Sequence, residues 1–239
     1  MALILGLPII LLYVGLVAYP TFLLTDAAFE DGLAGFKETF TGPRLSTLLT
    51  TLRLSLVVTI LVILCGSVIA WTLVTTQSRL VRIVFWIAVL APLSLSSVVK
   101  TFSFVIILSH FGIVNWISDH LGLGRHQLLY NDFAVTTGMV YTLLSYGVMT
   151  MYVTFHSIDQ SLLKAAASLG ATKTQIARTI VLPLSMSGTL ITGVLIFVLA
   201  IGFYVTPVML GGPKATFISS LINHEIRRNS ISRPQHECR

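Results

Sequence analysis

Residues 159–183 read DQSLLKAAASLGATKTQIARTIVLP, a polar and small-residue island between two long apolar runs. Leu162, Ala166 and Leu169 recur at helical spacing, Gly170 interrupts, and Ile176 and Ile180 resume the apolar stripe, so the pattern predicts two short helices meeting at a bend. Asp159 offers an acceptor to an exposed N–H at the first helix start, and Gly170 stands where a helix ends in a left-handed residue. Thr172 followed by Gln175 has the spacing of a capping box that opens the second helix. Pro183 is expected to end that helix, because proline has no N–H to donate and disfavours helix in Leu182 before it. Three uses fit such a pair: a connecting loop, a basic amphipathic hairpin lying on lipid, or a docking element for a partner.

The composition around the island sets the class. The chain has 239 residues, of which 55% are hydrophobic and 10% charged, with mean hydropathy +0.90, so it lacks the charge to cover a soluble domain and reads as a membrane protein. A formal charge of +6 and a pI near 9.6 invite a nucleic-acid reading, but the basic residues form no run of the kind phosphate binding needs. Cys65 lies in an apolar stretch and Cys238 in the last residues, which indicates no disulfide framework.

The expected fold is an all-α polytopic bundle. Residues 3–24 carry no charge before the acids begin, and roughly 20 apolar residues suffice to cross hydrocarbon as a helix. Further spans are expected at 54–76, where Gly66 and Ala70 share a face suited to close packing, at 83–108 with Pro92 inside, at 133–155, and at 186–210. The loop from Asp26 to Arg44 has an acidic excess, whereas Arg79 and Arg82 occupy the next connector and Lys164, Lys173 and Arg178 the hairpin. The positive-inside rule therefore turns the hairpin toward the cytoplasm. Residues 211–239 form a polar tail carrying Lys214, Arg227, Arg228, Arg233 and Arg239; the five-span alternation puts this basic tail outside, which suggests a shortened or altered C-terminus.

Inside the spans, Tyr141, Ser145, Tyr146, Tyr204 and Thr206 are polar or aromatic groups that serve either as interhelical packing and hydrogen-bonding residues or as the lining of a pathway, where tyrosine faces suit a cationic amine. Lys100 costs roughly 2.5–3.5 kcal/mol at a span centre. Counting about 1.5 Å per residue from Arg82 sets it roughly 27 Å along the helix, where it is expected to snorkel, with a pathway role as the competing use. His110, His120 and His126 match no compact metal signature. Gly211-Gly212-Pro213-Lys214 lacks the spacing of a phosphate loop, and no nucleophile elbow or paired-carboxylate constellation occurs, so no catalytic residues and no metal site are expected.

Family resemblance narrows the choice. Lys164-Ala165-Ala166, then Gly170, then Ile180-Val181-Leu182-Pro183 resembles the EAA loop of ABC-importer membrane subunits, in which E-A-A, three residues, G, nine residues and I-x-L-P keep fixed spacing. Lys164 departs from it, standing where the family has Glu. Residues 95–108, with Val98-Val99-Lys100-Thr101-Phe102, resemble the V-R-T-Y stretch of spermidine/putrescine-type permeases, and residues 197–213, FVLAIGFYVTPVMLGGP, are similar to that subfamily's fifth span and following loop. The resemblance covers roughly residues 1–225 and implies a type I importer whose usual sixth span is missing here. It implies a multi-pass permease subunit of the bacterial inner membrane, for a small solute such as a polyamine. Two cytoplasmic ATPases, a second permease subunit and an extracytoplasmic solute-binding protein are its implied partners. ATP and Mg belong to the ATPase, and this chain itself is expected to bind no cofactor and no nucleic acid. On this resemblance the ATPase-coupling residues are Asp159, Leu162, Lys164, Ala165, Ala166, Leu169, Gly170, Ile180, Leu182 and Pro183. A degenerate or truncated subunit that no longer transports is the alternative.

Overall fold

Where no water reaches the backbone, each N–H and C=O must be satisfied within the structure, and among the described residues every regular element is helical. The computed structural model describes residues 12–23, 25, 43–122, 124–212, 217 and 219, without side-chain detail at 43, 44, 160 and 173. The chain divides into two units, residues 1–47 and 48–239. In the first, α1 (Leu12–Leu23) is apolar and exposed on all sides. The remainder of the expected first span, at 3–11 and 24, lies outside the described residues.

Then follow α2 (Pro43–Thr75), α3 (Arg79–Ser94), α4 (Ser97–Leu108), α5 (Ile113–His120) and α6 (Asp132–His156). After them come α7 (Gln160–Ser168), α8 (Lys173–Ile176), a π-helical turn (Ala177–Val181), α9 (Leu182–Ile201) and α10 (Val205–Gly211). Among the described residues four stretches are long and apolar enough to cross a membrane: Leu45–Thr75, Ser97–His120, Asp132–His156 and Thr174–Ile201.

Three expected boundaries change. The span expected at 54–76 begins much earlier, at Pro43, because polar Thr residues before Leu54 are compatible with helix once they are buried; Thr51 is fully inside. The span expected at 83–108 is two helices, since the chain turns extended at Leu95 and Ser96 between α3 and α4. Pro92 lies buried inside α3, where its missing N–H falls on the turn before it, and Ser94, Ser96 and Ser97 flank the break. The span expected at 186–210 ends at Ile201, and Gly202 to Tyr204 turn the chain into the separate short helix α10.

Helix α6 is the central member, packed against α3, α4, α9 and α10. Its contact with α2 depends on glycine: a Cβ built at Gly66 would stand 3.4 Å from the Gly147 backbone, and one built at Gly147 would run into Val62. Two apolar clusters result. One joins Val58, Met139, Leu143, Ile196 and Leu210; the other, at the hairpin end, joins Ala70, Val89, Val148, Met151, Phe155 and Val181.

Candidate functional site

The hairpin is built by its caps. Asp159 accepts from the Ser161 N–H at 2.8 Å, closing the start of α7. That hydrogen bond favours the carboxylate and holds the Asp159 pKa below its ordinary value. At the other end, the Gly170 N–H donates to Ala167 O at 3.0 Å and the Ala171 N–H to Ala166 O at 3.1 Å, the paired bonds of a Schellman motif. Gly170 holds φ +84°, the left-handed conformation the motif requires, and a Cβ there would meet nothing within 4 Å. The capping box forms as the spacing predicts: the Thr172 N–H donates to Gln175 Oε1 at 2.8 Å and the Gln175 N–H to Thr172 Oγ1 at 3.4 Å.

Pro183 does not end the second helix. The Leu182 N–H donates back five residues to Ala177 O, and this π-type offset lets α8 run through Pro183, at the start of α9, to Ile201. A proline in a first turn loses only an N–H that the shifted ladder does not use. The second hairpin helix and the last long span are therefore one rod.

Leu163 and Ile176 pack into the second cluster, so the hairpin is seated on the bundle from both of its helices. Beneath them Trp71 meets Phe155 edge to face at 5.5 Å, and Trp86 meets Tyr152 at 5.0 Å. Leu162, Lys164, Ala165, Leu169 and Gly170 are exposed, as are Leu182 and Pro183, while Ala166 and Ile180 are half-buried. Leu169, 89% exposed, touches almost nothing in this chain.

The expected pathway residues gather only in part. Thr206 is fully buried and its hydroxyl lies 3.0 Å from that of Thr101. Since Thr101 already donates to Ser97 O, Thr206 is the donor of that pair. Tyr141 packs its ring on Phe104 at 5.1 Å, and Ser145 is buried one turn further along α6. Lys100 is 7% exposed and belongs to the inward stripe of α4 with Thr101, Phe104 and Leu108. The distance count from Arg82 assumed an unbroken helix, which the break at residues 95–96 removes. Tyr146 stands apart on an exposed face of α6, and Tyr204 sits at the turn before α10.

Three residues escape a reading by type alone. Thr101 and Phe104 are ordinary span residues until α10 folds over them. Asn115, fully buried, donates to Ser109 O and accepts from the His126 N–H, each at 3.0 Å, pinning α5 to the loop after it. His120 rests on Trp116 and His110 on Phe111, and among the described residues no three metal-ligating side chains converge.

With this geometry in hand, residues 62–232 match the family model of the binding-protein-dependent transport system inner membrane component. The chain is 27% identical over 206 residues to the inner membrane ABC transporter permease protein YdcU of Escherichia coli K12, a match covering 81% of this chain and 66% of that protein. It is 30% identical over 177 residues to the spermidine/putrescine transport system permease protein PotB of the same organism, covering 73% of this chain and 64% of that one. The match thus spans just under two thirds of each relative's length. In fold the chain is similar to the bacterial alginate ABC transporter solved in complex with an alginate pentasaccharide-bound periplasmic protein. There the TM-score is 0.74 at 20% identity, over 96% of this chain and 83% of that one.

Proposed function

This chain belongs to the family of binding-protein-dependent transport system inner membrane components, and on that premise we propose that it is the membrane-spanning permease subunit of an ATP-driven ABC importer. Its solute is a polyamine or a related small compound, a reading supported by the likeness to PotB. The expected partners are a pair of cytoplasmic ATPases, a second permease subunit and an extracytoplasmic solute-binding protein, with the whole assembly in the bacterial inner membrane.

The observation that carries the proposal is the capped hairpin. It is rigid by its own hydrogen bonds, leaves Leu162 and Leu169 exposed, and is anchored by Leu163 and Ile176 to the cluster that holds α2, α3, α6 and the π turn. A partner gripping α7 pulls on α6 directly through the short link at Ser157 to Asp159, and on α9 through the Gly170 turn and the rod that follows it. ATPase closure then moves both long helices together and biases the bundle between two openings. Selection of a cationic solute falls to the binding protein, because the described parts of the spans offer no buried carboxylate.

Uptake in vesicles reconstituted with the complete importer tests this. Accumulation should require internal ATP, the binding protein and an intact hairpin, and uptake that proceeds without ATP overturns the proposal. One residue favours the second reading, a subunit that has ceased to transport: Lys164 occupies the position of the motif's Glu. The same assay separates the two, since a silent subunit assembles with its partners but moves nothing.

A further inference from the structure

We infer that the ATPase groove receiving the hairpin has two unlike walls, one apolar and one acidic, an inference that rests on the coupling role proposed above. Successive residues of α7 turn by about 100°. With Leu163 directed into the second cluster, Leu162 and Leu169 fall on one flank of the helix and Lys164 on the opposite flank. Ser161, Ala165 and Ser168 then occupy the face pointing away from the bundle. All six of these residues are exposed, and among the described residues of α7 Leu163 and Ala166 are the half-buried ones.

The two flanks ask for different surfaces. Leu162 at 48% and Leu169 at 89% exposure leave apolar area in water that an apolar wall would cover. On the other side Lys164 forms no ion pair among the described residues, and neither does the exposed Arg178. The stretch 159–183 contains three cations, Lys164, Lys173 and Arg178, against one acid, Asp159, whose carboxylate already accepts the Ser161 N–H. The small residues between the flanks let a partner backbone come close, and close approach strips water from Lys164. A neutral wall would leave that ammonium uncompensated, so the wall facing it carries Asp or Glu.

The test uses the full chain in detergent free of anionic lipid, with its cognate ABC ATPase as the probe. Wild-type binding should weaken as salt rises from about 50 to 300 mM. Lys164→Glu should weaken it about tenfold at low salt, Lys164→Arg should leave it intact, and Lys164→Met should flatten the salt dependence. Equal binding by Lys164→Glu and the wild type, with no salt response, overturns the acidic wall while leaving the coupling role standing. A Lys164 effect that appears only when anionic lipid is restored assigns the charge to the membrane surface and also overturns it. Failure of the wild type to bind the ATPase under any condition removes the coupling role and this inference together.

Discussion

Gly170 at φ +84° sits in a conformation that costs an L-residue roughly 1–2 kcal/mol. Apart from its chain neighbours, no described residue comes within 4 Å of where its Cβ would be, so a side chain there burdens the backbone and any partner, not the bundle. Gly170→Asp should therefore leave the spans folded and cut solute-stimulated ATP hydrolysis at least tenfold, measured in reconstituted vesicles. Asp159 supplies a pH signature. Its folded pKa lies below the unfolded value near 3.9, so its capping contribution is full above about pH 4 and fades as pH falls through the folded value. Hydrogen exchange at the Ser161 amide, corrected for the intrinsic rate, should show protection unchanged from pH 7 to 5 and lost at lower pH. Lys100→Met keeps the side-chain length on the inward stripe of α4 and deletes a charge to which no described residue donates an acceptor. Thermal stability should hold or rise, by up to roughly 1–3 kcal/mol, while uptake falls; unchanged uptake would give Lys100 a packing role alone.

At the scale of elements, the α2–α6 contact depends on a small residue. Gly147→Ala forces a methyl against Val62 and should destabilise by about 1–3 kcal/mol, read as an earlier thermal transition in detergent. Gly66 with Ala70 was legible as a close-packing face, and Ala70 is indeed fully buried. Which helix receives that face was not legible, because a small-residue pair names no partner. The caps of α7 and α8 could be read directly, since capping depends on residues two to five apart. Pro183 was misread for the complementary reason: its effect depends on whether the ladder before it is in α or π register, and the π turn at Ala177–Val181 leaves no mark in residue types. The break at Leu95 and Ser96 follows Pro92 and lies among serines, yet proline-bearing helices often continue, as α3 does through Pro92 to Ser94, so residue types do not mark where it falls.

For the molecule as a whole, the charge pattern assigns one side of the membrane to the hairpin. A cysteine placed at Ala166 should react with an impermeant maleimide in inside-out vesicles and stay unlabelled in right-side-out ones; the reverse result would invert the topology. The rod from Lys173 to Ile201 joins the hairpin to the bundle interior, with Ile196 and Ala200 in the first cluster near Leu210 of α10. Ile196, Ala200 and Leu210 thus link the rod to the short helix that bears Thr206 of the buried Thr101–Thr206 pair.

By itself the sequence determined the helical class, the membrane setting, the hairpin with its bend and caps, and the family motif, because apolar run length, turn chemistry and capping all act over a few residues. Only the tertiary structure decided that α3 and α4 are separate, that α8 and α9 are continuous through Pro183, and that Lys100, Thr101 and Thr206 face inward together. The inward grouping depends on contacts between helices distant in sequence, such as Thr101 with Thr206, and the continuity through Pro183 on a hydrogen-bond register that residue types do not mark. In an apolar chain nearly every helix face is hydrophobic enough to be buried, so periodicity cannot choose among them, and close packing does.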